Sequence, residues 1–437
     1  MKKISSKIIL VLFLASALSL VVNIHVVKAT LTPVYIRADG SVDPSSAPIT
    51  KSGSVYTVTE DMINSSIIIE RNGMILDGGG HVLEGDGTGE GVSLSGRSNV
   101  IIQNFHIMNY QYGIYVLSSS SYVTVSKNNI TDLPSQAISI WIKSSTNCTV
   151  SENTIDNYGH GIFLQDSDHN TIHGNIIKKS IDGIRLDPSA NSLIHENTLA
   201  NSTWGIWISS YSSTNNKIFH NNFIDNQYSS YCYTSQNWSD GYPSGGNYWS
   251  NLKITDKLSG SDQNETGSDG INDNPYLMVL SYKDPYPLCA PFRSFSAGIW
   301  KNQAYDIDII SNSSVSNFNF DTNASIYPKV SFLVEGLTGT IGFCRLAIPR
   351  GLMWCDDLAE WTITINGTTI IRTIIETTNC TCIYFTYNHS VKAVQVQSTH
   401  AIPEFQFPIM PLLIVIATLL AAMVNRRKQV QRVSNIQ

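Results

Sequence analysis

Short segments of alternating hydrophobic and polar residues recur along the chain between residues 70 and 290. In Gly183-Ile184-Arg185-Leu186, for example, the pattern places Ile184 and Leu186 on one side of a strand and Arg185 on the other. This period of two, in segments rich in β-branched residues, is typical of β-strands. Turns rich in Asn, Ser and Gly separate the segments, so the pattern predicts many short strands.

These strands belong to a sequence repeat that is clearest between residues 99 and 221. Each copy reads Asn-x-Ile, then about ten residues further on Gly-Ile-x-Leu, and then a polar turn. The asparagine recurs every 22 to 25 residues, at Asn104, Asn128, Asn153, Asn175, Asn197 and Asn221. The glycine recurs at Gly113, Gly161, Gly183 and Gly205, with Ala137 in its place once. Such a period is typical of solenoid proteins.

A repeat of this length is too short for a helix pair but accommodates two or three strands, which form one coil of a parallel β-helix. Coils of this kind stack about 4.8 Å apart. The repeat asparagine is expected at a corner, where its side chain hydrogen-bonds backbone groups of the neighbouring coils in a ladder. We predict the coils within residues 71–292, including a C-terminal cap. Residues 30–70 are expected to form an N-terminal cap, because an open coil end exposes unpaired strand edges.

The repeats resemble the right-handed parallel β-helix repeats of the NosD-like family, which is related to carbohydrate-binding and sugar-hydrolase β-helices. Gly245-Gly246-Asn247-Tyr248-Trp249, followed by Asp269-Gly270-Ile271-Asn272-Asp273 and Pro275-Tyr276, is similar to the tail motif of this family. The resemblance implies an all-β, right-handed fold and, through the family's name, a role in copper handling. The fold does not by itself specify an activity.

Residues 293–400 contain a second group of alternating segments, such as Val330-Ser331-Phe332-Leu333-Val334. Asn366-Gly367 is a hairpin signal. About a hundred residues of short antiparallel strands are typical of a β-sandwich, which we predict here.

The two ends of the chain predict export and anchoring. Residues 1–29 combine lysines with an apolar run and read as a signal peptide, with an uncleaved anchor as the alternative. Residues 409–425 are apolar and just long enough to span a bilayer, and the basic residues 426–437 are expected in the cytoplasm. The protein is therefore expected at the extracellular face of the cell membrane.

The segment before the span, residues 401–408, contains Pro403-Glu404-Phe405. It resembles the Pro-Glu-Phe sorting signal of archaeal surface proteins. The resemblance implies that a sortase-like enzyme removes the span and leaves a lipid anchor, with a plain transmembrane anchor as the alternative.

Composition agrees with an exported protein, since only 14% of the residues are charged against roughly 25% in ordinary soluble domains. Asn-x-Ser/Thr sites such as Asn64 and Asn129 fit a glycosylated surface protein. A formal charge of −6 provides no basic footprint, which argues against nucleic acid as a partner. Of the seven cysteines, Cys344 and Cys355 are candidates to bridge neighbouring strands, and we expect Cys380 and Cys382 on opposite faces of their strand.

Outward columns of stacked residues are the places where a β-helix builds a site. The x position of Gly-Ile-x-Leu predicts the column Tyr115, Ser139, Phe163, Arg185 and Trp207. The outward column two residues further on is predicted to be Leu117, Trp141, Gln165, Asp187 and Ser209, and Trp204 precedes the repeat glycine. Aromatic rings pack on sugars, while Arg and carboxylates bind hydroxyl or uronate groups.

This face favours binding of a polysaccharide or surface glycan without catalysis. The predicted ligand-binding residues are Tyr115, Trp141, Phe163, Arg185, Asp187, Trp204 and Trp207. The alternative is that the rings stack on one another and only stabilise the sheet. In that case the protein has a purely structural role in the cell envelope.

A polysaccharide lyase or glycoside hydrolase is an alternative that needs suitably spaced acid and base groups. The weak catalytic candidates are His160, Asp182, Arg185 and Asp187. Gly159-His160-Gly161 resembles a polygalacturonase triplet, but the Asn-Thr-Asp and Asp-Asp motifs of those enzymes are missing.

Metal binding is the last alternative. His173 and His195 occupy equivalent outward positions on adjacent coils, with His220 one position off on the next, and imidazoles bind Cu or Zn. Asp269 and Asp273 are weak candidates for calcium, which prefers oxygen ligands. Stacked surface histidines and a turn-rich cap are the simpler interpretations.

Overall fold

The structure, a computed structural model, describes residues 31–278, 282–322 and 327–402. The predicted signal peptide, the Pro-Glu-Phe motif, the apolar span and the basic tail lie outside these ranges. Within them the one helical element is a 3-10 turn at Leu358–Glu360, and no helix is long and apolar enough to cross a membrane. The predicted all-β fold class is confirmed.

The chain divides into two compact units. Of the described residues, the first contains 31–238, Trp249–Asn251, 277–278 and 282–283. The second contains Ser239–Tyr248, Leu252–Tyr276, 284–322 and 327–402.

Three sheets of stacked strands build the first unit. Sheet A has ten strands in the order Val42–Asp43, Thr32–Ile36, Ser65–Ile69, Glu90–Ser95, Tyr112–Leu117, Ile138–Lys143, His160–Gln165, Asp182–Asp187, Trp204–Ile208 and Tyr228–Cys232. Sheet B has nine strands in the order Ile49–Ser52, Val55–Val58, Met74–Asp77, Val100–Gln103, Thr124–Ser126, Thr149–Ser151, Thr171–His173, Leu193–His195 and Lys217–Phe219. Sheet C contains, within this unit, Met62–Ile63, Val82–Glu84, His106–Met108, Asn129–Thr131, Thr154–Asp156, Ile176–Lys178, Thr198–Ala200 and Asn222–Ile224.

The chain visits sheets B, C and A in turn, so that each coil adds one strand to each sheet. Strands of successive coils pair in parallel, as Ile184 does with Ile206. Alternate side chains point inward, and the stacked Ile162, Ile184 and Ile206 are fully buried. The first unit is thus the predicted right-handed parallel β-helix.

Residues 32–69, for which the sequence predicts a cap, already contribute coils. Thr32–Ile36 pairs in parallel with Ser65–Ile69, and Val55–Val58 pairs in parallel with Met74–Asp77. Two antiparallel strands, Val42–Asp43 and Ile49–Ser52, lie at the ends of sheets A and B. These antiparallel strands cover the edges that would otherwise be open.

An asparagine ladder runs inside the corner between sheets B and C. The side-chain amide nitrogen of each residue donates to the side-chain oxygen of the next, at 3.0, 2.9, 2.9 and 2.9 Å, through Asn128, Asn153, Asn175, Asn197 and Asn221. The same oxygens accept from backbone N–H groups of the coil before, as Asn197 Oδ1 does from the Asn175 N–H at 3.0 Å. The predicted ladder is confirmed from Asn128 to Asn221, and these buried amides bond to one another and to the backbone instead of to water. Asn104 is not part of it, because the Phe105 N–H occupies that place and Asn104 donates to Asp77.

The glycine column is confirmed at four positions and corrected at one. A Cβ on Gly161 would lie 2.3 Å from the Gly183 carbonyl oxygen, which explains the need for glycine. On the coil before, Ser139 occupies this place and not Ala137, because Ile138 pairs with His160. Residues 132–137 connect sheets C and A on that coil, whereas only residues 157–159 do so on the next. The longer connection moves the strand by two positions relative to the predicted alignment.

The second unit contains two antiparallel sheets. One has the strand order Phe292–Trp300, Gln303–Ser311, Ile341–Pro349, Cys380–Asn388 and Thr373–Glu376. The other has the order Ser314–Asp321, Lys329–Glu335, Lys392–Gln397, Thr362–Ile365 and Thr368–Thr369. Both sheets contribute to one core around Trp361, with Leu346 from the first sheet and Phe332 and Val394 from the second. Two antiparallel sheets around one core form a β-sandwich.

Several two-residue strands complete the chain. They are Tyr248–Trp249, Leu258–Ser259, Glu265–Thr266, Tyr276–Leu277, Lys283–Asp284, Met353–Trp354 and His400–Ala401. Trp249 belongs to the first unit, where its ring stacks on that of Phe223 with 4.2 Å between centroids.

The seven cysteines are free thiols in the structure, including Cys344 and Cys355. The expectation that Cys380 and Cys382 point to opposite faces is wrong, because their sulfur atoms lie 3.9 Å apart. Side chains alternate along a strand, so residues two apart share a face.

We expect Asn175→Ala to destabilise the β-helix by about 3 kcal/mol, because it leaves the buried N–H groups of Asn153 without their acceptor. Urea denaturation followed by circular dichroism measures the change. Asn129→Ala is the matched control, since Asn129 lies on the same corner but is exposed. Equal unfolding midpoints for the two variants would contradict a stabilising ladder.

Candidate functional site

The outward side of sheet A carries one continuous row of large side chains. In the register of the parallel strands, Tyr115 lies beside Trp141 and Trp141 beside Phe163, and the same pairing continues to the last coil of the sheet. We call this row the aromatic column, and it consists of Tyr115, Trp141, Phe163, Arg185, Trp207 and Tyr231. Five steps of about 4.8 Å give it a length of about 24 Å.

The sequence assigned Trp141 to the neighbouring column and Ser139 to this one. The structure reverses this, because the longer connection at residues 132–137 moves the strand by two positions. Lys143 stands where Trp141 was predicted, paired with Gln165, and its ammonium lies 4.9 Å from the Trp141 ring centroid.

Rings of the aromatic column stack face to face. The centroids of Tyr115 and Trp141 are 4.6 Å apart with planes 14° apart, and those of Trp141 and Phe163 are 5.7 Å apart with planes 5° apart. Both faces of the Trp141 ring are therefore covered. Ring edges carry partial positive charge, and it is the edges that remain for contact with a ligand.

Arg185 interrupts the rings but continues the stack. Its guanidinium carbon lies 4.8 Å from the Phe163 centroid and 4.6 Å from the Trp207 centroid, which is a cation–π contact on both sides. Its Nη2 donates to Asp187 at 3.3 Å. Asp187 keeps 32% of its side chain exposed, so this pair borders solvent.

A second set of rings lies beside the aromatic column, in the row before the repeat glycine. Trp204 stacks on Tyr228 with 4.3 Å between centroids and lies 6.1 Å from Trp207. Tyr112 lies 5.2 Å from Trp141 in the same way. The seven predicted ligand-binding residues therefore lie on one face of one sheet.

His160 and Asp182 form a pair in the same row as Trp204. The Asp182 carboxylate is fully buried, and its Oδ2 lies 2.8 Å from His160 Nδ1. Asp187 is paired with Arg185. The four weak catalytic candidates thus form two hydrogen-bonded pairs, and Asp182 and Asp187 do not present two open carboxylates.

A histidine stack lies on sheet B. The rings of His173 and His195 are 5.2 Å apart and 5° from parallel, and Phe219 continues the stack at 5.5 Å. His220 lies one position off, as predicted, and packs edge-on against Phe219. Burial and the neighbouring His195 lower the pKa of His173. Burial acts to raise the pKa of Glu196, but the hydrogen bond with His195 and the charges of the neighbouring histidines together lower it overall.

The predicted calcium residues serve the local backbone of the second unit. Asp269 Oδ1 accepts from the Ile271 N–H at 2.9 Å, and Asp273 Oδ1 accepts from the Lys257 and Leu258 N–H groups at 3.0 Å each. Asp256 accepts from two further N–H groups in the same loop, and burial raises its pKa to about 6.

The first unit is a parallel β-helix protein with a stacked aromatic face. Its residues 52–253 match the family model described as NosD: Periplasmic copper-binding protein (NosD). This stretch, which makes up most of the three sheets, belongs to the NosD-like parallel β-helix family, as its repeats predict. A comparison with curated proteins found no match.

Several solved structures are similar to this chain. The hyperthermoactive exopolygalacturonase from Thermotoga maritima is 13% identical over 43% of this chain and 62% of its own, with a TM-score of 0.28. A tailspike protein of E. coli bacteriophage HK620 in complex with a pentasaccharide is 10% identical over 77% and 75%, with a TM-score of 0.25. The tailspike gp49 of Acinetobacter baumannii bacteriophage Fri1, a capsular polysaccharide depolymerase, is 8% identical over 79% and 80%, with a TM-score of 0.23.

The histidine stack does not fit a copper ion. Ligands of one ion direct the in-plane lone pairs of their nitrogens at it, whereas His173 and His195 lie face to face. The Nδ1 atom of His195 is already bonded to Glu196 at 3.0 Å. In the part of the chain that the structure describes, no group of three or more His, Cys, Asp or Glu residues is arranged to hold a metal.

Proposed function

We propose that this protein binds an extended polysaccharide or surface glycan along the aromatic column without cleaving it. The observation that carries the proposal is the unbroken row from Tyr115 to Tyr231 on the outward side of sheet A. A row with a regular step suits a ligand that is itself a chain of repeating units.

The chemistry of the face favours oxygen-rich and acidic sugars. Stacking leaves ring edges toward the ligand, and these attract hydroxyl and carboxylate oxygens. The Lys143 ammonium lies over the Trp141 ring, and the Arg185 guanidinium lies between the rings of Phe163 and Trp207. Arg185 is paired with Asp187, whereas Lys143 makes no ion pair with the residues that the structure describes. The face thus has a spare cation for a uronate group.

The stack also reduces one cost of binding, the ordering of side chains at the interface. Trp141 is held between Tyr115 and Phe163, and Phe163 between Trp141 and Arg185, so these rings lose little freedom when a ligand docks. Such preorganisation raises affinity without additional contacts.

Trp141→Ala combined with Trp207→Ala is expected to weaken binding of polygalacturonate by about tenfold or more, since clustered aromatic residues usually dominate an interface. Affinity electrophoresis of the full chain in gels with polygalacturonate or a neutral glucan measures this, and the acidic polymer is expected to bind more tightly.

Phe219→Ala is the matched control, because it removes an equally stacked ring from sheet B. The proposed face is rejected if the wild type migrates freely in both gels, or if the double variant is retarded as strongly as the wild type.

A second candidate function is a polysaccharide lyase or hydrolase, favoured by the His160–Asp182 pair beside the aromatic column. A buried carboxylate bonded to Nδ1 fixes the orientation of an imidazole, which suits His160 to act as a general base.

Under the binding proposal, incubation with polygalacturonate yields neither new reducing ends nor unsaturated uronates. If the protein is an enzyme, such products form with the wild type and disappear with His160→Gln, while affinity electrophoresis stays unchanged. Product formation by the wild type would replace the noncatalytic proposal with the enzymatic one.

We further propose that the protein is exported and held at the extracellular face of the cell membrane. The apolar residues 1–29 and 409–425 and the basic residues 426–437 support this, and Pro403-Glu404-Phe405 supports processing by a sortase-like enzyme. Protease added to intact cells is expected to digest the β-helix, as followed by immunoblot. Protection of the β-helix until the cells are lysed would contradict this location.

A further inference from the structure

A pair of thiols lies outside the aromatic face, on the β-sandwich. Cys380 and Cys382 occupy the strand Cys380–Asn388, and their sulfur atoms are 3.9 Å apart. The residues between and after them, Thr381 and Ile383, point to the opposite side, where Ile383 joins the sandwich core. Both thiols therefore lie on the face of the sheet opposite to that core, where Cys380 is half-buried and Cys382 is buried.

Arg345 lies beside this pair and is itself 2% exposed. Its Nη2 is 3.7 Å from the Cys382 sulfur, and its other contacts are the backbone carbonyls of Pro243 and Ser244. None of the described carboxylates forms an ion pair with it, and its Nε has no hydrogen-bond partner. A buried guanidinium is costly unless an anion is close. Arg345 has two such neighbours, the thiol pair and the Asp269 carboxyl, and its charge acts to lower the pKa of Cys380 and of Asp269.

The surroundings distinguish Cys380 from the other cysteines. The hydrogen bond from Cys382 lowers the pKa of Cys380, assisted by the Thr377 hydroxyl and Arg345. The pKa of Cys382 is raised, because it keeps the proton that the two sulfurs share. Burial raises the pKa of the remaining five, which are Cys148, Cys232, Cys289, Cys344 and Cys355. Cys380 is thus the cysteine whose surroundings favour the thiolate, whereas those of the other six favour the thiol.

We propose that Cys380 and Cys382 form a thiol–disulfide exchange site, with Cys380 as the nucleophile and Cys382 as the resolving thiol. Cys380 is the partly accessible member of the pair, and Cys382 is 3% exposed. The co-reactant is a disulfide, either of a small molecule or of another protein.

The exchange balances in two steps. The Cys380 thiolate attacks one sulfur of the co-reactant, so that a mixed disulfide forms and the other sulfur leaves as a thiolate. The Cys382 thiol then passes its proton to that thiolate and attacks the Cys380 sulfur. This step forms the Cys380–Cys382 disulfide and releases the second thiolate. The co-reactant gains two electrons and the cysteine pair loses two.

Strand geometry favours exchange over a permanent crosslink. Two residues along a strand span about 6.7 Å between Cα atoms, close to the upper end of the range that disulfides span. A disulfide closed at that distance is readily reduced again, as catalytic and regulatory disulfides are.

The test treats the folded full chain with an aromatic disulfide that releases a coloured thiolate, at pH 6.5. The wild type is expected to release two equivalents quickly, with a mass loss of two hydrogens in the peptide that contains both cysteines. Cys382→Ser is expected to release one equivalent and to keep the mixed disulfide. Cys380→Ser is expected to react at least tenfold more slowly than the wild type. Cys344→Ser, which changes a buried thiol, is the control and is expected to react as fast as the wild type.

The dependence on pH provides a second readout. Loss of the Arg345 charge raises the pH at which the reaction rate reaches half its maximum. Arg345→Gln is therefore expected to move the midpoint of the pH profile to higher pH, and Arg345→Lys is expected to move it by a smaller amount. If Arg345→Gln does not fold, Cys382→Ala tests the same point by removing the hydrogen bond. A wild-type profile with an ordinary thiol midpoint near 8.5, or equal rates for Cys380→Ser and the wild type, would overturn the proposal.

Discussion

The hydrogen bonds between the side chains of successive corner asparagines are the constraint on which the β-helix depends. Each amide joins its coil to the next, from Asn128 to Asn221, and also satisfies backbone groups that the corner would otherwise leave unpaired. Because these bonds have one geometry, each corner sits directly over the last. The strands that follow the corner are therefore brought into the same register on each coil.

Register converts positions far apart in sequence into neighbours in a row, and this explains the aromatic column and the histidine stack. Arg185 lies between Phe163 and Trp207 because each of the three occupies the same place in its coil. The same rule places His173, His195 and Phe219 on one line of sheet B. The chemical character of a β-helix surface therefore depends on which residue types occupy each stacked column. A ligand that matches such a surface has a repeating structure of its own.

The β-sandwich builds chemistry on a different principle. Its sheets are antiparallel, and no repeat relates one strand to another. A single buried cation, Arg345, is contributed by one strand, and two thiols by the strand beside it. The electrostatic cost of burying that cation is met locally by sulfur, by backbone carbonyls and by the Asp269 carboxyl. The two units thus show two routes to a reactive or binding surface, one by stacking and one by burial of charge.

The repeat itself determined the coil and the asparagine ladder from Asn128 onward, because period and alternation are local properties of the chain. It left open whether each coil has two strands or three. It placed Tyr115, Phe163, Arg185 and Trp207 in one column, since the connections before those strands have similar lengths. It misplaced Trp141, because the number of residues taken up by the connection 132–137 depends on how that loop packs.

Only the tertiary structure decided which side chains touch. His160 meets Asp182 through pairing between coils, and Arg345 meets Cys382 through pairing between strands. Contacts between residues that are distant in sequence decide whether a thiol or a carboxylate is buried beside a charge. The hydrophobic pattern of the chain contains no information about those contacts. The physical reason is that pattern specifies which side of a strand a residue faces, whereas the fold specifies what it faces there.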